Sequence, residues 1–257
     1  MGIYLRQICL VAERLAPVVA DIEAVFATPI CHVDPAVAKF GLENAMMAVG
    51  SQFLEVVAPT RDGTAAGRYL QRRRGEGGYM VITQVRDKAE QQAVRANAAA
   101  NGVRVAYDSD RGDWHIMQLH PGDMRAAFFE VEWDAVGDVT GYWTPAGGRD
   151  WQGSICTDVV SAIAAAELQS DDPAGLAAHW AAVAGLPVAD RDGVPHVALA
   201  NADLRFVAAT DGRGPGLGAV DLRVTDAARL LAAAEARGLR RSDTQVMICG
   251  TRFNLAG

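Results

Sequence analysis

The sequence predicts an α+β chain of four modules, each a strand, a helix and a short run of further strands, used as two pairs. Three observations predict it. Strand-like apolar runs are interrupted by one helical stretch for every two or three strands, whereas a doubly wound parallel sheet needs about one helix per strand. The same order of elements recurs four times at intervals of about 60 residues, the mark of an internally repeated architecture. Between the second and third copies lies the segment 137–153, with five glycines, one proline and the aromatics Tyr142, Trp143 and Trp151, a composition suited to a linker whose rings pack against a domain.

The first strand covers 3–12, where Ile8, Leu10 and Ala12 alternate with Gln7, Cys9 and Val11 and both faces read as buried. A helix over 17–26 follows, with Val18, Ile22, Val25 and Phe26 on one stripe and Pro17 in its first turn. Short strands at 31–33, 44–49 and 52–57 are punctuated by Pro35, Gly41, Gly50 and Pro59. The second module has a strand at 78–85, an alanine-rich helix at 87–101 stopped by Gly102, and strands at 103–107, 114–119 and 126–133. The third has a strand at 162–168, a helix at 173–184 ended by Gly185, and strands at 196–200 and 204–208. The fourth runs from 218–224 through a helix at 227–237, stopped by Gly238, into strands at 245–249 and 252–255. The expected division is a domain over 1–136, a glycine-rich linker over 137–153 and a second domain over 154–257.

Composition removes several function classes. The 257 residues are 50% hydrophobic and 21% charged, with 31 acidic against 24 basic side chains and a net charge of -7. Such a balance argues against binding nucleic acid or anionic membranes, which need a basic face; Arg72-Arg73-Arg74 is the one basic run, and it reads as a solvated helix end or as a receiver of a phosphate or CoA-like tail. No apolar stretch reaches the ~20 residues that cross a bilayer, and 1–6 does not begin a secretory signal, so a cytoplasmic protein is expected. The four cysteines, Cys9, Cys31, Cys156 and Cys249, form no CxxC pair and read as free thiols. Neither a GxSxG nor an HExxH motif occurs, and Gly212-Arg213-Gly214-Pro215-Gly216 lacks the order of a phosphate loop.

Four stretches carry a family resemblance: the helix and glycine turn from Thr64-Ala65-Ala66-Gly67-Arg68-Tyr69-Leu70 to Gly75-Glu76-Gly77, the strand Phe53-Leu54-Glu55-Val56-Val57-Ala58-Pro59, the turn His120-Pro121-Gly122-Asp123, and the strand Phe128-Phe129-Glu130-Val131. Together with the module order they resemble the vicinal oxygen chelate superfamily (glyoxalase, bleomycin resistance, extradiol dioxygenase), nearest its glyoxalase-like and methylmalonyl-CoA-epimerase-like branch. The resemblance implies four βαβββ modules paired into two incomplete barrels, with one divalent cation (Zn, Ni, Mn, Fe or Co) in the first. Its ligands would fall on Gln7, Glu55 and Glu130. Met80, preceded by Tyr79, stands where the family has a histidine, and a thioether is a poor ligand in an oxygen-rich site, so the implied centre is incomplete. The implied activity is that of a lyase or isomerase acting on a small carbonyl or vicinal-oxygen compound, with Glu130 and Glu55 as catalytic carboxylates. One alternative is metal-free binding of a drug or aromatic ligand among Tyr79, Met80 and His115; another is an idle scaffold. The implied partners are a small molecule and, for the chain itself, a homodimer.

The residues alone support this unevenly. Glu55 sits in an apolar strand, where an unpaired carboxylate facing a dry core costs several kcal/mol, so it must be exposed, paired or in a cavity. Glu130 and Glu132 share a strand face, a pattern that a solvated face also produces. His115 and His120 lie five positions apart and on one strand point to opposite faces; His32, His179 and His196 read as structural. In the second pair the positions matching the ligand set read as Ala162, Phe206, Ala219 and Asn254, which cannot hold a cation, so chemistry is expected in the first half alone.

Overall fold

The structure is a computed structural model that describes residues 2–256. The first module consists of β1 (Tyr4–Val11), α1 (Leu15–Phe26), β2 (Ile30–His32), β3 (Leu42–Val49) and β4 (Gln52–Pro59), followed by α2 (Ala65–Arg73). The second is β5 (Gly77–Gln84), α3 (Lys88–Ala100), β6 (Val105–Asp110), β7 (Trp114–Leu119) and β8 (Phe128–Asp134). The third is β9 (Val160–Ser170), α4 (Pro173–Ala184), β10 (Val188–Arg191), β11 (Val194–Ala198) and β12 (Asp203–Ala208), and the fourth β13 (Gly216–Val224), α5 (Ala227–Ala236), β14 (Gln245–Ile248) and β15 (Thr251–Ala256). Helix starts follow local chemistry: Asp87, Asp172 and Asp226 each accept a hydrogen bond from a backbone N–H in the first turn of α3, α4 and α5. Gly185 ends α4 in the left-handed conformation that a side chain resists.

Strand β10 escapes a reading of the sequence because all four of its residues are exposed, leaving no alternation of apolar and polar positions. In the fourth module only two strands follow the helix, and an isolated bridge between Arg240 and Val246 stands where a third would be.

The chain forms two compact units, each taking one module from either half of the sequence. One contains the chain as far as Gln7 with Tyr79–Thr144 and Ala165–Leu217; the other contains Ile8–Gly78, Pro145–Ala164 and the chain from Gly218 onward. In the first unit β5 runs parallel to β8, and β7 lies antiparallel between β8 and β6. The third module repeats this pattern, β9 parallel to β12 with β11 and β10 antiparallel beyond. Helices α3 and α4 pack together, and the fully buried Trp180 of α4 lies 5.1 Å from the ring of Phe129 and 6.4 Å from that of Phe206. In the second unit α1 packs on α5, Phe26 meets Phe253 edge to face at 5.0 Å, and Phe53 meets Trp151 at 4.8 Å. The linker aromatics Trp143 and Trp151 are thus core residues, each buried in its own unit.

The four cysteines are free, and among the described residues no helix is long and apolar enough to cross a membrane.

Candidate functional site

Strand β8 alternates strictly. Phe129, Val131 and Trp133 share the face that reaches Trp180, while Phe128, Glu130, Glu132 and Asp134 share the other. The acidic face is not solvated: Glu130 is 4% exposed and Glu132 1%, and Asp134 is buried with them. Register brings amides and an indole to these carboxyls. Gln118 of β7 pairs with Glu130 across the ladder and donates from Nε2 to its Oε2 at 2.6 Å. Trp114 donates from its indole N–H to Glu132 Oε2 at 2.5 Å. From β5, Gln84 donates to Asp134 Oδ2 at 2.7 Å, and the backbone N–H groups of Val136 and Gly137 donate to Asp134 Oδ1 at 2.9 and 3.0 Å.

Glu130 and Glu132 are neighbours on this buried face and each affects the other's ionisation. Burial pushes both carboxyls above the ordinary range, Glu132 furthest because its contact with Glu130 adds to the burial. The two therefore titrate as a pair that holds a proton to higher pH than a surface carboxylate does. Asp134 is raised more mildly by burial, against the pull of its two backbone donors.

A second cluster in the same unit surrounds Arg6, a fully buried guanidinium and the only charged residue of β1. Its Nη1 donates to Gln84 Oε1, to Asp138 O at 3.3 Å and to Tyr142 O at 3.1 Å. The Trp143 ring lies under it, 4.7 Å from the guanidinium carbon to the ring centre, and donates from its indole N–H to Gln7 Oε1 at 3.1 Å. Burial lowers the Arg6 pKa to about 10, which leaves the group charged at neutral pH.

The residues singled out from the sequence are distributed as follows. Met80 and Glu130 share one face of the β5–β8 ladder, being in line with Phe128 and Ile82 respectively. Tyr79 and His115 lie on the opposite face, with Phe129 and Trp133. Tyr79 meets the ring of Phe128 edge to face at 5.1 Å, and His115 pairs through Nε2 with Asp108 at 2.5 Å, where Arg95 also binds at 2.9 Å. Gln7 and Glu130 belong to one compact unit and Glu55 to the other. Glu55 is buried opposite Met46 and accepts a hydrogen bond from Asn44 Nδ2 at 2.7 Å.

The implied cation does not fit these donors. The Gln7 oxygen is engaged by an indole, Glu130 Oε2 by the Gln118 amide, and the histidine position is a thioether. Among the described residues no group of three or more His, Cys, Asp or Glu side chains is placed to hold a metal ion.

The reading of the second half also changes. Phe206 faces Trp180, as Phe129 does, so it is the counterpart of Phe129 and not of Glu130. The residues on the face that corresponds to Glu130 are Asp203 and Arg205, with Glu167 of β9 and His196 of β11 beside Arg205, and Arg205 binds Glu167 at 2.7 Å. A slip of one residue in a strand exchanges its faces, which is how a polar face was read as apolar. Arg72–Arg74 closes α2, with Arg73 buried and Arg74 in the left-handed cap; Arg74 lines an open groove of about 410 Å³ with Glu13, Gly67, Leu70, Gln71 and Gly75.

No family model matches the sequence, and no curated protein matches it. Solved structures do. A hypothetical protein from Staphylococcus aureus superposes over 100% of this chain and 99% of its own with a TM-score of 0.65, at 11% identity. That likeness shows the fold. The chain shares with that protein an α+β architecture of repeated strand–helix–strand modules. A Streptomyces coelicolor methylmalonyl-CoA epimerase variant in complex with 2-nitronate-propionyl-CoA is 24% identical over 52% of this chain and 99% of that one, with a TM-score of 0.45. The methylmalonyl-CoA epimerase of Mycobacterium tuberculosis is 19% identical over 52% of this chain and 88% of that one, with a TM-score of 0.44.

Arg6, Gln84, Gln118 and Trp114 do not stand out in the sequence as site residues, and Glu132 stands out there only as a neighbour of Glu130. Arg6 did leave a signal, since a lone charge within a strand buried on both faces needs a reason to be there. The glutamines and Trp114 left none, because their role depends on cross-strand register.

Proposed function

We propose that the chain is a metal-independent small-molecule-binding protein of the glyoxalase type, with its ligand on the Glu130 face of the β5–β8–β7 sheet. The observation that carries this reading is a pair of neighbouring carboxyls on one buried strand face, Glu130 at 4% and Glu132 at 1% exposure, which burial raises toward the protonated form. A buried carboxylic acid kept protonated donates a hydrogen bond, and a donor is what a neutral carbonyl oxygen needs in a dry site. The pair thus supplies a polarising contact to that oxygen without a cation. Met80 and Ile82 add apolar wall on the same face.

The test is calorimetric. The EDTA-treated protein is titrated with Zn, Mn, Ni and Mg salts and with methyl phenylpyruvate as a neutral carbonyl probe. The expected result is binding of the ester without added metal, weakened at least tenfold in Glu130→Leu. Stoichiometric binding of a divalent cation at micromolar concentration, lost in Glu130→Gln, would overturn the proposal.

A second reading, lyase or isomerase chemistry at the same face, is favoured by the unequal state of the two carboxyls, one able to give a proton while the other takes one. Exchange of the ester's C3 protons in D2O, followed by NMR, tests it: exchange accelerated by the wild type and abolished in Glu130→Gln supports turnover, and exchange at the buffer rate leaves binding alone.

A further inference from the structure

Arg6 presents a feature that neither reading uses. The three hydrogen bonds it makes all leave from Nη1, while Nε and Nη2 are buried and without a hydrogen-bond partner. Those two N–H groups form one edge of the guanidinium, the parallel fork that matches the two oxygens of a carboxylate. Leaving two charged donors bare in a fully buried position is costly, and native structures rarely tolerate it without a functional reason. The rest of the cluster holds the group in place. Gln84 takes Nη1 with its oxygen and passes its own N–H to Asp134, and the carbonyls of Asp138 and Tyr142 complete the anchor. The nearby acids are committed elsewhere: Asp134 to Gln84 and two backbone donors, Asp138 to the backbone N–H groups of Thr140 and Gly141, and Glu132 to Trp114 and Glu130.

From this geometry we infer that Arg6 is a ligand-binding residue whose Nε/Nη2 fork grips the carboxylate of a small organic acid. The inference rests on the proposed function and deepens it. Gln84 is the direct neighbour of Glu132 in the β5–β8 ladder and binds Arg6, so the fork and the carboxyl pair belong to one cluster. The indole of Trp143 covers the guanidinium. It comes from the segment after Gly137, whose φ of +65° places it where glycine turns most easily.

The experiment compares phenylpyruvate with its methyl ester by isothermal titration in wild type, Arg6→Lys and Arg6→Gln. The ester retains the carbonyl and loses the charge. Wild type is expected to bind the acid at least tenfold more tightly than the ester, and both variants to bring that ratio to about one. Arg6→Lys preserves the charge, so it keeps the test open if the neutral variant fails to fold. Equal affinities for acid and ester in wild type, retention of the acid preference in Arg6→Lys, or binding of neither compound overturns the inference. The proposed function fails separately: ester binding that is unchanged in Glu130→Leu, or that appears only with added metal, removes that reading whatever Arg6 does.

Discussion

Strands β8 and β12 close equivalent ladders in one compact unit and share Trp180 as a neighbour, yet they bury polar side chains by different means. On β12 and its neighbours, charge is matched by charge: Arg205 binds Glu167 at 2.7 Å and Arg191 binds Asp203 at 2.5 Å. On β8, charge is removed. Burial pushes Glu130 and Glu132 above the ordinary carboxylate range, and they take hydrogen bonds from neutral groups, an amide and an indole. An ion pair already holds its counter-charge and has little left to offer a ligand, whereas a protonated carboxyl pair retains a donor. The contrast teaches that the module order alone does not say which sheet face does chemistry; the manner of neutralisation does.

The comparison breaks most severely where both strands depend on one residue. Trp180→Ala removes the ring between Phe129 and Phe206 and the donor to the Met124 carbonyl, and it is expected to cost about 3–5 kcal/mol in urea unfolding. Next comes the ion pair. Arg205→Met deprives the buried Glu167 of its guanidinium, and because Arg205 is partly exposed the expected loss is about 2 kcal/mol.

The carboxyl pair should respond differently. Glutamine has nearly the shape of a protonated glutamate, so Glu132→Gln is expected to change stability by less than ~1 kcal/mol near pH 5. Its effect should then grow with pH. The Glu132 pKa is raised in the folded protein, so the stabilisation from its bound proton is complete below the unfolded value of ~4.3 and is lost as pH rises through the folded value. Wild type should therefore lose thermal stability across that window while Glu132→Gln stays flatter, a difference read from Tm against pH. The smallest effect belongs to the exposed pair: Arg191→Ala should cost under ~1 kcal/mol, reduced further by salt. If Glu132→Gln proved as destabilising as Arg205→Met at pH 5, the distinction between the two strands would be lost.

Much of the fold was legible in the sequence because each module announces itself locally. Period-two alternation marks β8, helical spacing marks α1, and aspartate caps and glycine stops bound the later helices. Strand β10 was not legible, being exposed on every residue. The candidate site was legible in part. That Glu130 and Glu132 share a face followed from the alternation; whether water reached that face did not.

The sequence by itself determined the module order, the face each β8 side chain takes and the presence of a charged Arg6 in a mostly apolar strand, since all three rest on neighbours along the chain. Tertiary structure alone decided that the Glu130 face is buried, that this burial raises both of its glutamates, and that Trp143 covers Arg6 and occupies the oxygen of Gln7 from 136 positions away. Burial and protonation depend on what the distant chain brings against a face, and no local pattern encodes that.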